Sequence, residues 1–379
     1  MARLRVVHII TKLDLGGSQA NTLYSVSHLN PDLFEAHLIA GPGGLLDDEA
    51  GELLKNSLQF CGELSREIRP LADFQAFNQL REQLRELKPD IVHTHEPKAG
   101  VVGRLAASAE MTPLIVHTYH SFAFHRFQNP GVFRLSTAME REASRRSHHL
   151  IFVSWENAKW AEELDIIQNC GTSLIRTGVE VEALLKGERS EAFREKYSVR
   201  KKAKIVAMVS PLKGQKDPLT FVEAADIVTR KEPNVKFLLF GDGEMAEAVA
   251  RRAAKLQQRH LFLQAGWTRD IPQIFANIDL LIVPSLWEGL PREIAEATIA
   301  GVPVIASDVD GNREIIFHGR NGALAEPHNP EDFAEKILQA LDEEWKVDPD
   351  LSRQIQHEYD IREMVHQEEA LYLKLTKSA

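Results

Sequence analysis

Short apolar runs bounded by turn residues alternate with amphipathic segments along nearly the whole chain. That alternation restricts the fold to βαβ units with parallel strands buried on both faces. A first series of strands is expected at Arg5–Thr11, Ala36–Gly41, Asp90–His95, Leu114–Thr118 and Leu150–Ser154, with helices over Ser18–Leu29 and Asp73–Leu87. A second series is expected at Ile205–Ser210, Val235–Gly241, Leu261–Ala265, Leu280–Pro284 and Pro303–Ser307. Its helices are expected over Pro218–Lys231, Glu244–Gln258 and Pro291–Ala300.

With 379 residues the chain exceeds one ordinary core and suits two domains of about 150–200 residues each. The polar stretch Glu180–Lys204 separates the two series, and the division is expected near Cys170–Ser173. The N-terminal domain then spans 1–172 and the C-terminal domain 173–359. Such a chain is α/β, with two doubly wound, Rossmann-like domains facing each other across a cleft at the carboxyl ends of both sheets.

A formal charge of −10 argues against a nucleic-acid partner, which demands a concentrated basic surface. A small anion needs only a local positive pocket. Cys61 and Cys170 lack C-x-x-C spacing and read as free thiols of a reducing compartment. Leu4–Ile10 runs straight into a glycine loop, which suits a first strand better than a secretion signal. No apolar stretch reaches the roughly 18–20 residues of a membrane span. The expected location is the cytoplasm, at most resting against the inner face of a membrane.

The stretch Pro284-Ser-Leu-Trp-Glu288-Gly289-Leu290-Pro291-Arg-Glu-Ile-Ala-Glu296-Ala is the most informative. A buried strand ends at Pro284, a loop follows, and Pro291 suits the first helical position. The free amides of that helix start favour an anion such as a diphosphate. Glu288 and Glu296 bracket it, with backbones roughly 10 Å apart at the helical rise. That matches the span from sugar to ribose in a nucleotide sugar, each carboxylate accepting from hydroxyls. The plainer alternative is that Glu288 caps the helix and Glu296 is a surface residue.

Here the chain resembles the retaining glycosyltransferases of family four. The Glu-x7-Glu element with Glu-Gly-Leu-Pro carries the resemblance. So do Phe240-Gly-Asp-Gly-Glu244, Gly266-Trp267 and Gly301-Val-Pro-Val-Ile-Ala306, in that order. The resemblance implies a GT-B fold, with a nucleotide-sugar donor held mainly by the C-terminal domain and an acceptor held mainly by the N-terminal one. It also implies that the segment 360–379 returns to pack on the N-terminal domain.

Carried over residue by residue, the resemblance assigns Gly17 of the Gly16-Gly17 loop to the donor phosphate, although a tight turn with positive φ explains the glycines equally well. The loop is not G-x-G-x-x-G, so a dehydrogenase is not supported. His120, at the end of an N-domain strand, matches the histidine that reaches the donor sugar. Lys216 matches the lysine that neutralises the leaving diphosphate. The matching arginine position holds Pro211, so Lys213 is expected to supply the second charge, without bidentate geometry. Trp267 is expected near the base, Gly289 and Leu290 along the donor, and His95, Lys98 and Arg126 on the acceptor side.

No metal and no cofactor is expected. Asp308-Val-Asp310 has the D-x-D form of metal-dependent transferases but opens the loop Gly311–Ile316. His93, His95, His117 and His120 fall on two strands without the helical spacing of a zinc site. The expected reaction is a front-face transfer of a hexose-type sugar, UDP-linked, to a saccharide or lipid-linked saccharide in glycan synthesis. The aromatic and basic run Phe122–Arg134 would either rest on anionic lipid head groups or pack its own phenylalanines. A nucleotide-sugar 2-epimerase and a silent nucleotide-sugar-binding subunit are the alternatives on the same architecture.

Overall fold

The computed structural model describes residues 3–122, 124–125 and 128–377. It contains two compact units, one running to Gly178 and resuming at Ile361, the other Val179–Asp360. The first is built on strands β1 (Leu4–Lys12), β2 (Phe34–Gly41), β3 (Leu58–Phe60), β4 (Ile91–His95), β5 (Leu114–Tyr119), β6 (His149–Phe152) and β7 (Gly171–Leu174). They form one sheet in the order β3-β2-β1-β4-β5-β6-β7. All pairings are parallel.

The second unit carries β8 (Lys204–Val209), β9 (Val235–Phe240), β10 (Phe262–Gly266), β11 (Leu280–Val283), β12 (Val304–Ser307) and β13 (Gly322–Ala325). Their order is β10-β9-β8-β11-β12-β13, again parallel throughout. In both sheets strand order reverses once, between β1 and β4 and between β8 and β11. Ligands of doubly wound sheets bind at the carboxyl ends of the strands flanking that reversal.

Seven helices position the sites: α1 (Gly17–His28), α2 (Pro70–Leu87), α3 (Pro97–Ala109), α4 (Pro130–Ser144), α5 (Pro218–Lys231), α6 (Arg292–Ile299) and α7 (Ile361–Thr376). Proline stands in the first turn of α2, α3, α4 and α5, where a missing N–H costs nothing. Asn129 caps α4, accepting from the amide of Gly131 at 2.9 Å. Asp217 caps α5, accepting from the Thr220 hydroxyl at 2.7 Å.

The division falls after Gly178, not at 172/173, because Gly171–Leu174 pairs with β6 as the last strand of the first sheet. The returning α7 packs Ile361, Met364, Val365, Leu371 and Tyr372 against Val6 and Ile91 of that sheet. The helix expected over Glu244–Gln258 is regular only over Ala246–Ala253. Phe122 and Phe124 are buried and pack edge-on or tilted against Trp160 and each other. The packing alternative therefore holds for those rings. Arg126 lies outside the described residues. Among the described residues no helix is long and apolar enough to cross a membrane.

Candidate active site

In the second unit, the loops after β8 and β11 meet at the switch point. The amide of Leu286 donates to the carbonyl of Gln215, and the Gln215 side chain donates to the carbonyl of Trp287, both at 2.8 Å. This stitching delivers Lys216, only 8% exposed, to two carboxylates. Its ammonium donates to Glu288 at 2.5 Å and to Glu293 at 2.7 Å. Burial alone would lower the lysine's pKa, but the two carboxylates outweigh it and hold the ammonium charged well above its usual range.

The Glu288 loop is pinned from below. The Glu288 amide donates to Asp310 at 3.4 Å. A Cβ on Gly311 would stand 2.0 Å from the carbonyl oxygen of Gly289, so only glycine permits this approach. Gly289 and Leu290 are buried within the loop. Asp308 pairs instead with Arg313 at 2.6 Å. Both carboxylates of the D-x-D run therefore serve the loop itself.

Pro291 is the N-cap of α6 rather than its first helical residue, with ψ at 114°, and no side chain caps the helix start. Of the first-turn amides, that of Ile294 donates to the carbonyl of Pro291 at 3.2 Å, and no side chain takes up those of Arg292 and Glu293. Glu296 is buried and accepts from Arg292 Nε at 2.8 Å. Burial raises its pKa, and Arg292 offsets part of that rise. Lys213 is exposed on the loop after β8. Trp267 follows the edge strand β10, two strands from β8, and stands 46% exposed with the Arg269 guanidinium 5.7 Å from its ring centroid. The structure brings Lys216 and Glu288 together.

In the first unit, Gly16 is extended (φ −176°) and Gly17 opens α1, so neither glycine occupies a left-handed turn. Gly16 makes room for Gln19, whose Oε1 would lie 2.4 Å from an added Cβ. Gln19 in turn donates to Glu96. Glu96 follows β4 with φ at 62°, a strained conformation for a residue with a side chain. Burial pushes its carboxyl up to about 7, against the pull of Arg66.

His120, immediately after β5, has Nε2 at 3.2 Å from His95 Nδ1. His95 Nε2 is 2.9 Å from His8 Nδ1. His93 sits between Tyr372 Oη at 2.6 Å and Thr118 Oγ1 at 2.7 Å. Burial lowers all four histidines, His8 to about 3 and His120 to about 4, so they are neutral at pH 7. His117 faces the other side of the sheet, with Nδ1 at 2.9 Å from Thr94 and its ring pressed on Gly100. The side-chain nitrogens of His8, His93 and His95 lie within 4.8 Å of one another. Most of them already face polar partners; His8 Nε2 has none. Lys98 pairs with Asp73.

Sequence reasoning missed Glu293, the second carboxylate on Lys216, and His8, the inner end of the histidine row. An ionisable residue in the middle of an apolar strand was the available signal for His8. Glu293 lies in the first turn of α6, where acidic residues are common on dipole grounds alone.

Two doubly wound parallel sheets with helices between their strands are the plan of the GT-B fold. Residues 16–183 match the family model "Glycosyltransferase Family 4" and residues 189–358 match "Glycosyl transferases group 1". The chain belongs to glycosyltransferase family four. It is 29% identical over 348 residues to the UDP-Gal:alpha-D-GlcNAc-diphosphoundecaprenol alpha-1,3-galactosyltransferase of Escherichia coli, covering 90% of this chain and 89% of that one. It is 25% identical to the N,N'-diacetylbacillosaminyl-diphospho-undecaprenol alpha-1,3-N-acetylgalactosaminyltransferase of Campylobacter jejuni, covering 74% and 76%. Anabaena HepE, crystallised with UDP and glucose, shares the fold with a TM-score of 0.79 at 19% identity, over 98% of this chain and all of that one.

Proposed function

We propose that this glycosyltransferase moves a hexose-type sugar from a UDP-sugar to a lipid-linked saccharide, with retention at the anomeric carbon and without a metal. The observation that carries this reading is Lys216, held buried and charged between Glu288 and Glu293 beside the uncapped start of α6. An ammonium has three donors. Two go to the carboxylates, and the third is available to a β-phosphate that gains charge as its bond to the sugar breaks.

Retention is supported by the Escherichia coli relative, which turns UDP-Gal into an α-1,3 linkage; the sugar of UDP-galactose is itself α-linked. Lipid-linked acceptors are supported by the diphosphoundecaprenol substrates of both relatives. In the front-face route, the bond from C1 to the β-phosphate oxygen breaks and the acceptor oxygen bonds to C1 on the same face. The acceptor proton passes to the departing phosphate. Lys216 and the α6 amides stabilise the developing charge, which is where such contacts have most effect. Glu288 accepts from hydroxyls of the donor sugar and Glu296 from the ribose. Lys213 supplies a further cation from the loop after β8, and Trp267 borders the base. Gly17 approaches the phosphates, His120 donates to the sugar as a neutral imidazole, and His95 and Lys98 face the acceptor side. The expected setting is glycan synthesis at the inner membrane face.

The test is a thermal-shift screen of UDP-, GDP- and ADP-sugars, followed by turnover with the stabilising donor and a diphospholipid-linked GlcNAc acceptor. An α-linked product from a UDP-sugar, formed in excess chelator, is expected. A β-linked product, a GDP-sugar preference, or release of an epimerised nucleotide sugar would each contradict the corresponding part.

A further inference from the structure

Sugar transfer gives Glu293 no task, yet its placement is specific. It stands in the first turn of α6 with its side chain only 14% exposed, and its Oε1 accepts from Lys216 Nζ at 2.7 Å. Among the described residues Lys216 is the one hydrogen-bond partner of that side chain. Holding the lysine in place does not require it. Glu288 already accepts from the same ammonium at 2.5 Å, and the contacts of Gln215 with Leu286 and Trp287 fix the loop beneath.

The charges of the cluster do not cancel. One ammonium faces two carboxylates, a net of −1. Arg292 does not correct this, because Glu296 takes its guanidinium at 2.8 Å. A phosphate is drawn to a cation and to the first turn of a helix. The Glu293 carboxylate lies on that cation and in that first turn, so it stands in for a phosphate. Like charges this close repel strongly in the low dielectric of a buried site.

We infer that Glu293 is a counter-charge that limits affinity: it competes with the β-phosphate for Lys216 and keeps the spent nucleotide from lodging in the site. The inference rests on the reading that Lys216 meets that phosphate. Cleavage of the bond to C1 leaves the electron pair on the β-phosphate oxygen, which takes the acceptor's proton. Once that proton passes to solvent, UDP carries one more negative charge than the UDP-sugar. The carboxylate therefore opposes the product more than the donor.

The experiment titrates UDP and UMP calorimetrically into the full-length wild type, Glu293→Gln, Lys216→Ala and Glu247→Gln. Glutamine keeps the size and an acceptor oxygen and removes the charge, and Glu288 stays on the ammonium. Glu293→Gln is expected to bind UDP at least about tenfold more tightly, a change of about 1.4 kcal/mol, and UMP as the wild type does. Glu293→Ala, which also removes the charge, should tighten UDP in the same direction should glutamine disturb the packing. Glu247→Gln removes a carboxylate of the same unit whose side chain is 89% exposed, and should change nothing. Unchanged UDP affinity in both Glu293 variants overturns the inference. So does weaker UDP binding, which would make Glu293 a positioning residue for Lys216. An equal gain for UMP, or in Glu247→Gln, overturns it as a general effect of charge. If neither the wild type nor Glu293→Gln binds UDP, the transfer reading falls and this one with it. If the wild type binds UDP and Lys216→Ala weakens it, while removing the Glu293 charge does not tighten it, this one falls alone.

Discussion

The two units share one plan, a parallel sheet with a single reversal, and fill its switch point with opposite chemistry. In the second unit the site is ionic: a buried lysine between two carboxylates and an uncapped helix start. In the first it is neutral: a row of histidines whose burial strips them of charge. Among the described residues no histidine of the second unit is buried. The difference shows that topology selects where a ligand sits and side chains select what it is. A charged site suits a diphosphate leaving group; a neutral hydrogen-bonding one suits sugar hydroxyls.

Breaking the ionic side should have the largest effect. Lys216→Ala is expected to lower kcat by on the order of 10²-fold or more. It also leaves Glu288 and Glu293 buried without their cation, a cost of about 3–5 kcal/mol by denaturant titration. Gly311→Ala comes next, since the new methyl must push the Gly289 carbonyl, and Glu288 with it, out of place. A fall of at least about tenfold in kcat/KM with little change in acceptor KM is expected, measured by steady-state kinetics.

Acid should single out the neutral side. His8, His93, His95 and His120 have folded pKa values depressed by burial, so their contribution is fully present above about 6.5. It is lost as pH falls toward about 4 for His120 and about 3 for His8. Hydrogen exchange between pH 7 and 4.5 should show β1, β4 and β5 opening before β8 and β11. Uniform loss of protection would erase the contrast.

The smallest effect concerns Glu368 on α7, buried with Oε2 unpartnered and pushed up to about 7 by desolvation. A raised carboxyl pKa stabilises the fold below about 4.5 and loses that stabilisation as pH rises through 7. Glu368→Gln should therefore raise Tm at pH 8, by the equivalent of roughly 1–3 kcal/mol, and leave it nearly unchanged at pH 5.

Most strands of both sheets were legible because buried parallel strands write themselves as continuous apolar runs. The exceptions follow from what such a pattern omits. Leu58–Phe60 and Gly322–Ala325 are too short to register as runs. Gly171–Leu174 is polar and partly exposed at a sheet edge, so nothing local says which sheet it joins. At the site, Lys216 and Glu288 were visible through their loops and the family resemblance. Glu293 and His8 were not, because their partners lie far away in sequence: Lys216 for one, His95 for the other. Pro291 was misplaced by one position because proline's fixed φ suits a cap as well as a first turn; only its ψ decides.

The most direct measurement is calorimetric titration of wild type and Lys216→Ala with UDP and with UMP. If Lys216 and the α6 amides grip the β-phosphate, the substitution weakens UDP by at least tenfold and leaves UMP, which lacks that phosphate, nearly unaffected. Equal affinity of both proteins for UDP, or equal weakening of UDP and UMP, would contradict the account.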